Sequence, residues 1–285
     1  MGGAWEALPS RPPPIRDVGG RSMTMGGCRM AVEVWSSGSY RCVHAGGCAG
    51  IFEGRGAGGR MLCVKVARGC EPSDARSLEA EFRLQRRAWN MDPSHFARAL
   101  SFSPSLVVRE RGGRGDVDLA AAKGHPALLQ ERLSGVTLAQ LAECHSLLGF
   151  AEGERVALEV LRALCTLETL RHVHHDVHPG NIFLCLDGTV RLIDLGVACS
   201  LDADDHVRIT NGYEDPRDKD RPWGCAPYAN GDVYSLARVA LRCTFGDFEA
   251  SGRSLPDVSL ARWCTQALAY AFGSPHEALV ALLTA

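Results

Sequence analysis

The sequence predicts an α+β chain whose first half is rich in strands and whose second half is rich in helices. Three observations predict it. Short apolar runs broken by Gly and Ser recur through the first 133 residues. An amphipathic pattern follows at 152–171, with Val156, Val160, Leu161, Leu164, Leu167 and Leu170 at helical spacing. Three more helical patterns, at 232–244, 259–272 and 276–284, fill most of the remainder. The 285 residues are 46% hydrophobic and 22% charged, a globular composition that suits one large domain or two joined lobes.

Residues 1–30 carry Pro9, Pro12, Pro13, Pro14 and several glycines without periodicity, and are expected to form a disordered extension. Strands are expected at 31–35, 42–44 and 61–66, with a Gly-rich loop at 53–59. A helix is expected over 72–90: Pro72 stands near its start, and acidic residues precede basic ones in the order the helix dipole favours. Two further strands, 97–110 and 127–133, flank a charged, Gly-rich surface loop. A short helix at 137–148 leads to the amphipathic helix, after which 181–186 and 189–193 form short strands around the turn Asp187-Gly188. The stretch 195–230 is polar and punctuated, and no internal repeat is evident.

The formal charge of −2, with 31 basic and 33 acidic side chains, gives no electrostatic case for nucleic acid or an anionic membrane as partner. No apolar run approaches the roughly 18 residues of a spanning helix, and the N-terminus has no apolar signal core. Twelve cysteines are scattered without a single C-x-x-C pair, so they are expected to be small core residues in a reducing compartment, cytoplasm or nucleus. Only three lysines occur, Lys65, Lys123 and Lys219, so a lysine in the middle of an apolar strand needs a reason.

The chemistry concentrates in His174-His175-Asp176-Val177-His178-Pro179-Gly180-Asn181-Ile182 and the following Ile193-Asp194-Leu195-Gly196. Asp176 and Asn181 are five residues apart and Asn181 and Asp194 thirteen, with Asp194 at the end of an apolar strand. Asn181 and Asp194 offer hard oxygen ligands for Mg²⁺, and Asp176 can accept a hydroxyl proton, a set that suits phosphoryl transfer. The four histidines at 172, 174, 175 and 178 also invite a zinc reading, which Asp176 and Asn181 embedded among them disfavour.

These residues resemble the protein kinase superfamily. Asp176 to Asn181 resembles the catalytic loop H-R-D-x-x-x-x-N, and Asp194-Leu195-Gly196 is similar to the D-F-G metal motif. Cys63-Val64-Lys65 resembles the V-A-I-K strand, with Glu81, sixteen residues on, as the partner of Lys65 and Glu79 as its rival. Residues 36–43 resemble a degenerate Gly-rich loop that keeps only Gly38, and Gln130-Glu131-Arg132-Leu133 falls where a hinge for adenine belongs. Thr210-Asn211-Gly212-Tyr213-Glu214-Asp215-Pro216 fits T-x-x-Y-x-x-P, and Asp232-Val233-Tyr234-Ser235-Leu236 fits the buried helix whose Asp braces the catalytic loop.

The resemblance covers about 31–285 and implies a bilobal protein kinase-like fold. After the extension, 31–133 would be a small five-stranded antiparallel lobe with one helix, 134–285 a larger mainly helical lobe, with ATP in the cleft between them. It implies ATP-dependent, Mg²⁺-dependent transfer to Ser or Thr of protein substrates, with Asp176, Lys65, Asn181 and Thr210 as catalytic residues. Gly38, Val43, Cys63, Lys65, Glu81, Glu131, Leu133 and Phe183 would receive the nucleotide, and Asn181 and Asp194 the metal. Only 53 residues follow Asp232, which suggests a compact kinase of the viral, herpesvirus-like sort.

The sequence also departs from the pattern. His175 stands for the Arg of H-R-D, the usual anchor of a phosphorylated loop, so activity without loop phosphorylation is expected. His178 replaces a Lys, and Gln85 an apolar residue of the helix. Arg217 stands where a Glu is usual, with Glu277 as a candidate for a reversed pair. Two alternatives remain open. The D-x-H-P-G-N loop is similar to that of aminoglycoside and choline kinase-like enzymes, and the weak Gly-rich loop with His175 and Arg217 fits a pseudokinase scaffold.

Overall fold

The computed structural model describes residues 40–45, 49–55, 59–106, 124–144, 147–202, 211–218, 221, 225–246 and 254–285. The expected extension at 1–30, the strand at 31–35, Gly38 and Thr210 lie outside the described residues. The fold is mixed α+β, in two compact units: one holds the residues up to Arg86 together with Ala97–Leu133, the other Arg87–Phe96 with Ser134–Ala285. Among the described residues no helix is long and apolar enough to cross a membrane.

Among the described residues the first unit is a five-stranded antiparallel sheet with one helix. The strands β1 (Tyr40–Ala45), β2 (Ala49–Arg55), β3 (Met61–Ala67), β4 (Ala99–Leu106) and β5 (His125–Glu131) lie in the order β1-β2-β3-β5-β4. Side chains alternate between faces along each strand. Val64 and Val66 therefore join Phe52, Leu106 and Ala127 in one apolar cluster, while Ala67 joins Leu128, Ala99 and Leu78 in another. Leu78 belongs to helix α1 (Pro72–Met91), which opens on Pro72 with the Asp74 carboxylate accepting from the Glu71 amide. Leu78, Glu81, Phe82 and Gln85 recur at helical spacing on the face toward that second cluster, and Leu78, Glu81 and Gln85 are buried.

Among the described residues one strand of the sheet is not among those the sequence suggests. β2 occupies 49–55, where the alternation was hidden by glycine: Gly50, Phe52 and Gly54 are its buried positions, so two of the three inward places carry no side chain.

The second unit is mainly helical. Its three-stranded sheet pairs β6 (Gly135–Thr137), β8 (Ile182–Cys185) and β9 (Val190–Leu192), while β7 (His172–Val173) pairs with β10 (Cys199–Ser200). Helix α2 (Leu138–Glu143) is shorter than the expected 137–148 and starts on a reciprocal cap between Thr137 and Gln140. The central helix α3 (Phe150–Thr169) buries Val156, Val160, Leu161, Leu164 and Leu167 against α4 (Gly231–Phe245), α5 (Ser259–Leu268) and α6 (Pro275–Leu283). Trp263 is fully buried and its indole N–H donates to Ala278 O at 2.9 Å, so its one polar atom is satisfied within the core.

An ionic cluster around the buried His95 ties the segment after α1 to α3. His95 lies 2.6 Å from Asp92 Oδ2 through Nδ1 and 2.6 Å from Glu159 Oε2 through Nε2. Both nitrogens can donate only in the imidazolium form. Burial opposes that charge, but the two carboxylates outweigh it and hold His95 above its ordinary value, while Asp92 is held below its own. The raised His pKa contributes stability that is complete below its unfolded value, about 6.5, and lost as pH rises through the folded one; Asp92 contributes above about 3.8 and loses it as pH falls. His95→Gln is therefore expected to destabilise by about 1–3 kcal/mol near pH 5.5 and by clearly less near pH 8.5. Paired thermal melts check this, and an equal loss at both values would refute the charged cluster.

Candidate active site

In the first unit the alternation along β3 puts Cys63 and Lys65 on the face that α1 covers. Lys65 Nζ donates to Glu81 Oε1 at 2.8 Å and Oε2 at 3.0 Å, with both residues buried. Glu79 pairs instead with Arg83 on the exposed side at 2.7 Å, so the choice the sequence leaves open falls on Glu81. Gln85 is buried beside it, its amide donating to Ala97 O at 3.1 Å and to Gln130 Oε1 at 2.7 Å. Gln130 in turn donates to the Cys63 sulfur at 3.6 Å. Burial pushes the Cys63 thiol up to about 11, which makes it a core residue with no nucleophilic character near neutral pH. Glu131 closes β5 with its carboxylate accepting from the Arg98 amide at 2.9 Å, and half-buried Leu133 ends the unit. Val43 sits half-buried where the β1–β2 register shifts.

In the second unit the chain leaves α3, forms β7 and enters the loop 174–181. Asp232, buried near the start of α4, accepts from His174 N at 2.6 Å and His175 N at 2.8 Å. His175 adopts a left-handed backbone with φ +66°, which the two bonds hold in place. The fully buried His174 ring accepts from Asp176 N on Nδ1 and faces Ile193 O at 3.1 Å through Nε2, which places its proton on Nε2. His178 caps the short 3₁₀ turn Pro179–Asn181, its Nδ1 accepting from Gly180 N at 3.1 Å. Its Nε2 lies 3.6 Å from Asp176 Oδ2.

Asp176 is the hub. Asn181 Nδ2 donates to its Oδ2 at 3.0 Å and to its carbonyl at 2.9 Å, while Asn211 Nδ2 donates to its Oδ1 at 2.6 Å. Burial alone would raise the carboxyl, but the His178 ring, the Asn211 amide and the His174 ring outweigh it and bring it down to about 2. Asp176 is thus an ionised acceptor at any working pH. Because Asn181 spends its nitrogen on Asp176, its Oδ1 is the end left for a cation. Asp194 follows β9 at φ +65°, exposed, with Oδ1 accepting from Gly196 N at 3.1 Å. An amide oxygen and a carboxylate are hard donors that fit Mg²⁺ or another small divalent ion. Phe183 is half-buried in β8, opposite Thr137 and Arg191.

Two points go beyond the sequence reading, or against it. Asn211 was not foreseen, since Asn-Gly reads only as a turn signal. Arg217 does not pair with Glu277, whose carboxylate accepts from Gly273 N at the start of α6. Arg217 meets the buried Asp215 beside it, donates to Asn230 Oδ1 at 2.7 Å, and lies over the rings of Tyr228 and Tyr270 at 4.3 and 3.8 Å. A local carboxylate in an aromatic slot leaves no need for a distant partner. His175, in the expected place of an Arg, lies 3.7 Å from Asp218, which also pairs with the buried Arg221 at 3.0 Å.

The protein kinase domain family model matches residues 117–253, a span that contains the loop, Asp194 and α4. The chain is 29% identical over 225 residues to mitogen-activated protein kinase kinase 9 of Arabidopsis thaliana, covering 76% of this chain and 64% of that protein. It is 24% identical over 223 residues to a probable serine/threonine-protein kinase PknB of Lactococcus lactis, covering 76% and 33%. These matches support a place for the chain in the protein kinase superfamily. To a probable PknB of Bifidobacterium longum the chain is 30% identical over 145 residues, covering 50% and 20%. It therefore spans between a fifth and just under two thirds of the length of these relatives. They are bacterial and plant proteins and lend no support to a viral origin. The superfamily in general uses ATP and a divalent metal ion.

Proposed function

We propose that this chain is a serine/threonine protein kinase that transfers the γ-phosphoryl group of ATP to hydroxyls of protein substrates. The observation that carries the reading is Asp176: an ionised carboxylate held by an amide on each oxygen, in a loop whose backbone is fixed by Asp232. A scaffold without catalysis has no chemical use for such a group. The kinase names of the relatives, which are Ser/Thr kinases and kinases of a kinase, support the same substrate class.

In this reading Asp176 accepts the proton of a Ser or Thr hydroxyl as its oxygen bonds to the γ-phosphorus and the bond to the ADP oxygen breaks. Lys65, oriented by Glu81, meets the nucleotide phosphates. Val43, Cys63, Glu131, Leu133 and Phe183 serve the base and ribose, and Gly38 the phosphates. Asn181 and Asp194 hold Mg²⁺, whose charge offsets that of the phosphates. Residues 31–133 form the nucleotide lobe and 134–285 the substrate lobe. The cysteines described are free thiols, which suits a reducing compartment such as cytoplasm or nucleus.

The test is Mg²⁺-dependent transfer of labelled γ-phosphate to casein, histone and basic peptides, with Asp176→Asn beside the wild type. Label on Ser or Thr that vanishes in the variant is the expected result. Mg²⁺-dependent ATP binding without transfer to any protein would turn the reading toward a small-molecule kinase, and no binding at all toward a scaffold.

A further inference from the structure

We propose that Asn211 is a positioning residue for phosphoryl transfer, its side-chain amide fixing the Asp176 carboxylate in the orientation that receives the acceptor hydroxyl. The inference rests on the kinase reading and deepens it. A carboxylate can turn about its last side-chain torsion, which is broad. Asn181 holds one oxygen at 3.0 Å and Asn211 holds the other at 2.6 Å, so that turn is blocked from both sides. The bond from Asn211 is the shortest of those that reach this carboxylate; His178 Nε2 lies 3.6 Å away. Two amide donors use about two of the four lone-pair positions on the carboxylate, which leaves room for a substrate O–H.

Asn211 is itself held. Its Oδ1 accepts from Tyr213 N at 2.8 Å, which fixes the amide so that the NH₂ end is the one facing Asp176. The Glu214 carboxylate gathers the N–H groups of Asn211 and Gly212 at 3.1 and 2.6 Å, and Gly212 supplies the left-handed turn at φ +84°. The next residue, Asp215, is buried and accepts from the Tyr270 hydroxyl at 3.0 Å. The donor therefore sits on an anchored turn, and its aim is set by neighbours on both sides.

Two variants separate positioning from a merely structural role. Asn211→Asp has the same shape and keeps the acceptor for Tyr213 N, but loses the donor toward Asp176. Asn211→Ala loses both. Each is expected to lower kcat by about tenfold or more with KM for ATP within about twofold and melting close to wild type, since misplacing a reacting group costs turnover first. In an Asp176→Asn background, Asn211→Asp is expected to add nothing. Near-wild-type kcat for Asn211→Asp would overturn the inference and leave Asn211 a turn residue. A loss for both variants that follows melting temperature would overturn it as well. Wild-type chain that transfers no phosphate to protein would sink the kinase reading together with this inference, whereas transfer that neither variant disturbs would sink this inference alone.

Discussion

Asp232→Ala is expected to abolish phosphoryl transfer and to destabilise the second unit by about 3 kcal/mol or more. The carboxylate is buried and takes two consecutive backbone N–H groups, from His174 and His175, at 2.6 and 2.8 Å. Alanine leaves both donors without this acceptor, one buried and one part-buried, at about 1–3 kcal/mol each. It also releases His175, whose backbone at φ +66° costs about 1–2 kcal/mol for a residue with a Cβ and persists because those bonds hold it. Asp176 is the next residue, so freeing the turn removes the frame that presents the base. Denaturant melts and a transfer assay check both halves of the prediction. Wild-type stability with retained turnover would show that the loop is held by other means.

The same geometry explains what was legible in the sequence. The loop 174–181 could be found because its chemistry is local: Asp176, Asn181 and His178 act on one another within a few residues, so spacing alone carries the signal. Lys65 was legible because lysine is rare in this chain and stands in an apolar strand. Its partner stayed ambiguous, although the stripe Leu78, Glu81, Phe82, Gln85 would have separated Glu81 from Glu79 by helical spacing. β2 was hidden because glycine fills two of its inward positions. Asn211 was hidden because its partner lies 35 residues back, and Asn-Gly has a sufficient local explanation. The His95 cluster joins residues 64 apart, a distance at which an isolated His carries no sign of its partner.

Lys65→Met is expected to cost the first unit stability and the chain its turnover, and a second substitution should separate the two effects. Lys65 and Glu81 make a buried pair with both carboxylate oxygens used, at 2.8 and 3.0 Å. Removing one partner of a buried ion pair costs about 3–5 kcal/mol. Replacing both by apolar side chains of similar volume is often neutral or stabilising, because the desolvation of two ions is no longer required. Lys65→Met with Glu81→Leu should then extend the apolar stripe of Leu78 and Phe82 and bring the melting temperature back to wild type or above. Turnover should stay lost, since nothing restores a cation for the phosphates. Thermal melts of the single and double variants beside the transfer assay decide the matter. If the double variant regains activity with stability, Lys65 is structural and the nucleotide meets another cation. If it stays as unstable as Lys65→Met, the pair supports the fold through bonds that packing cannot replace.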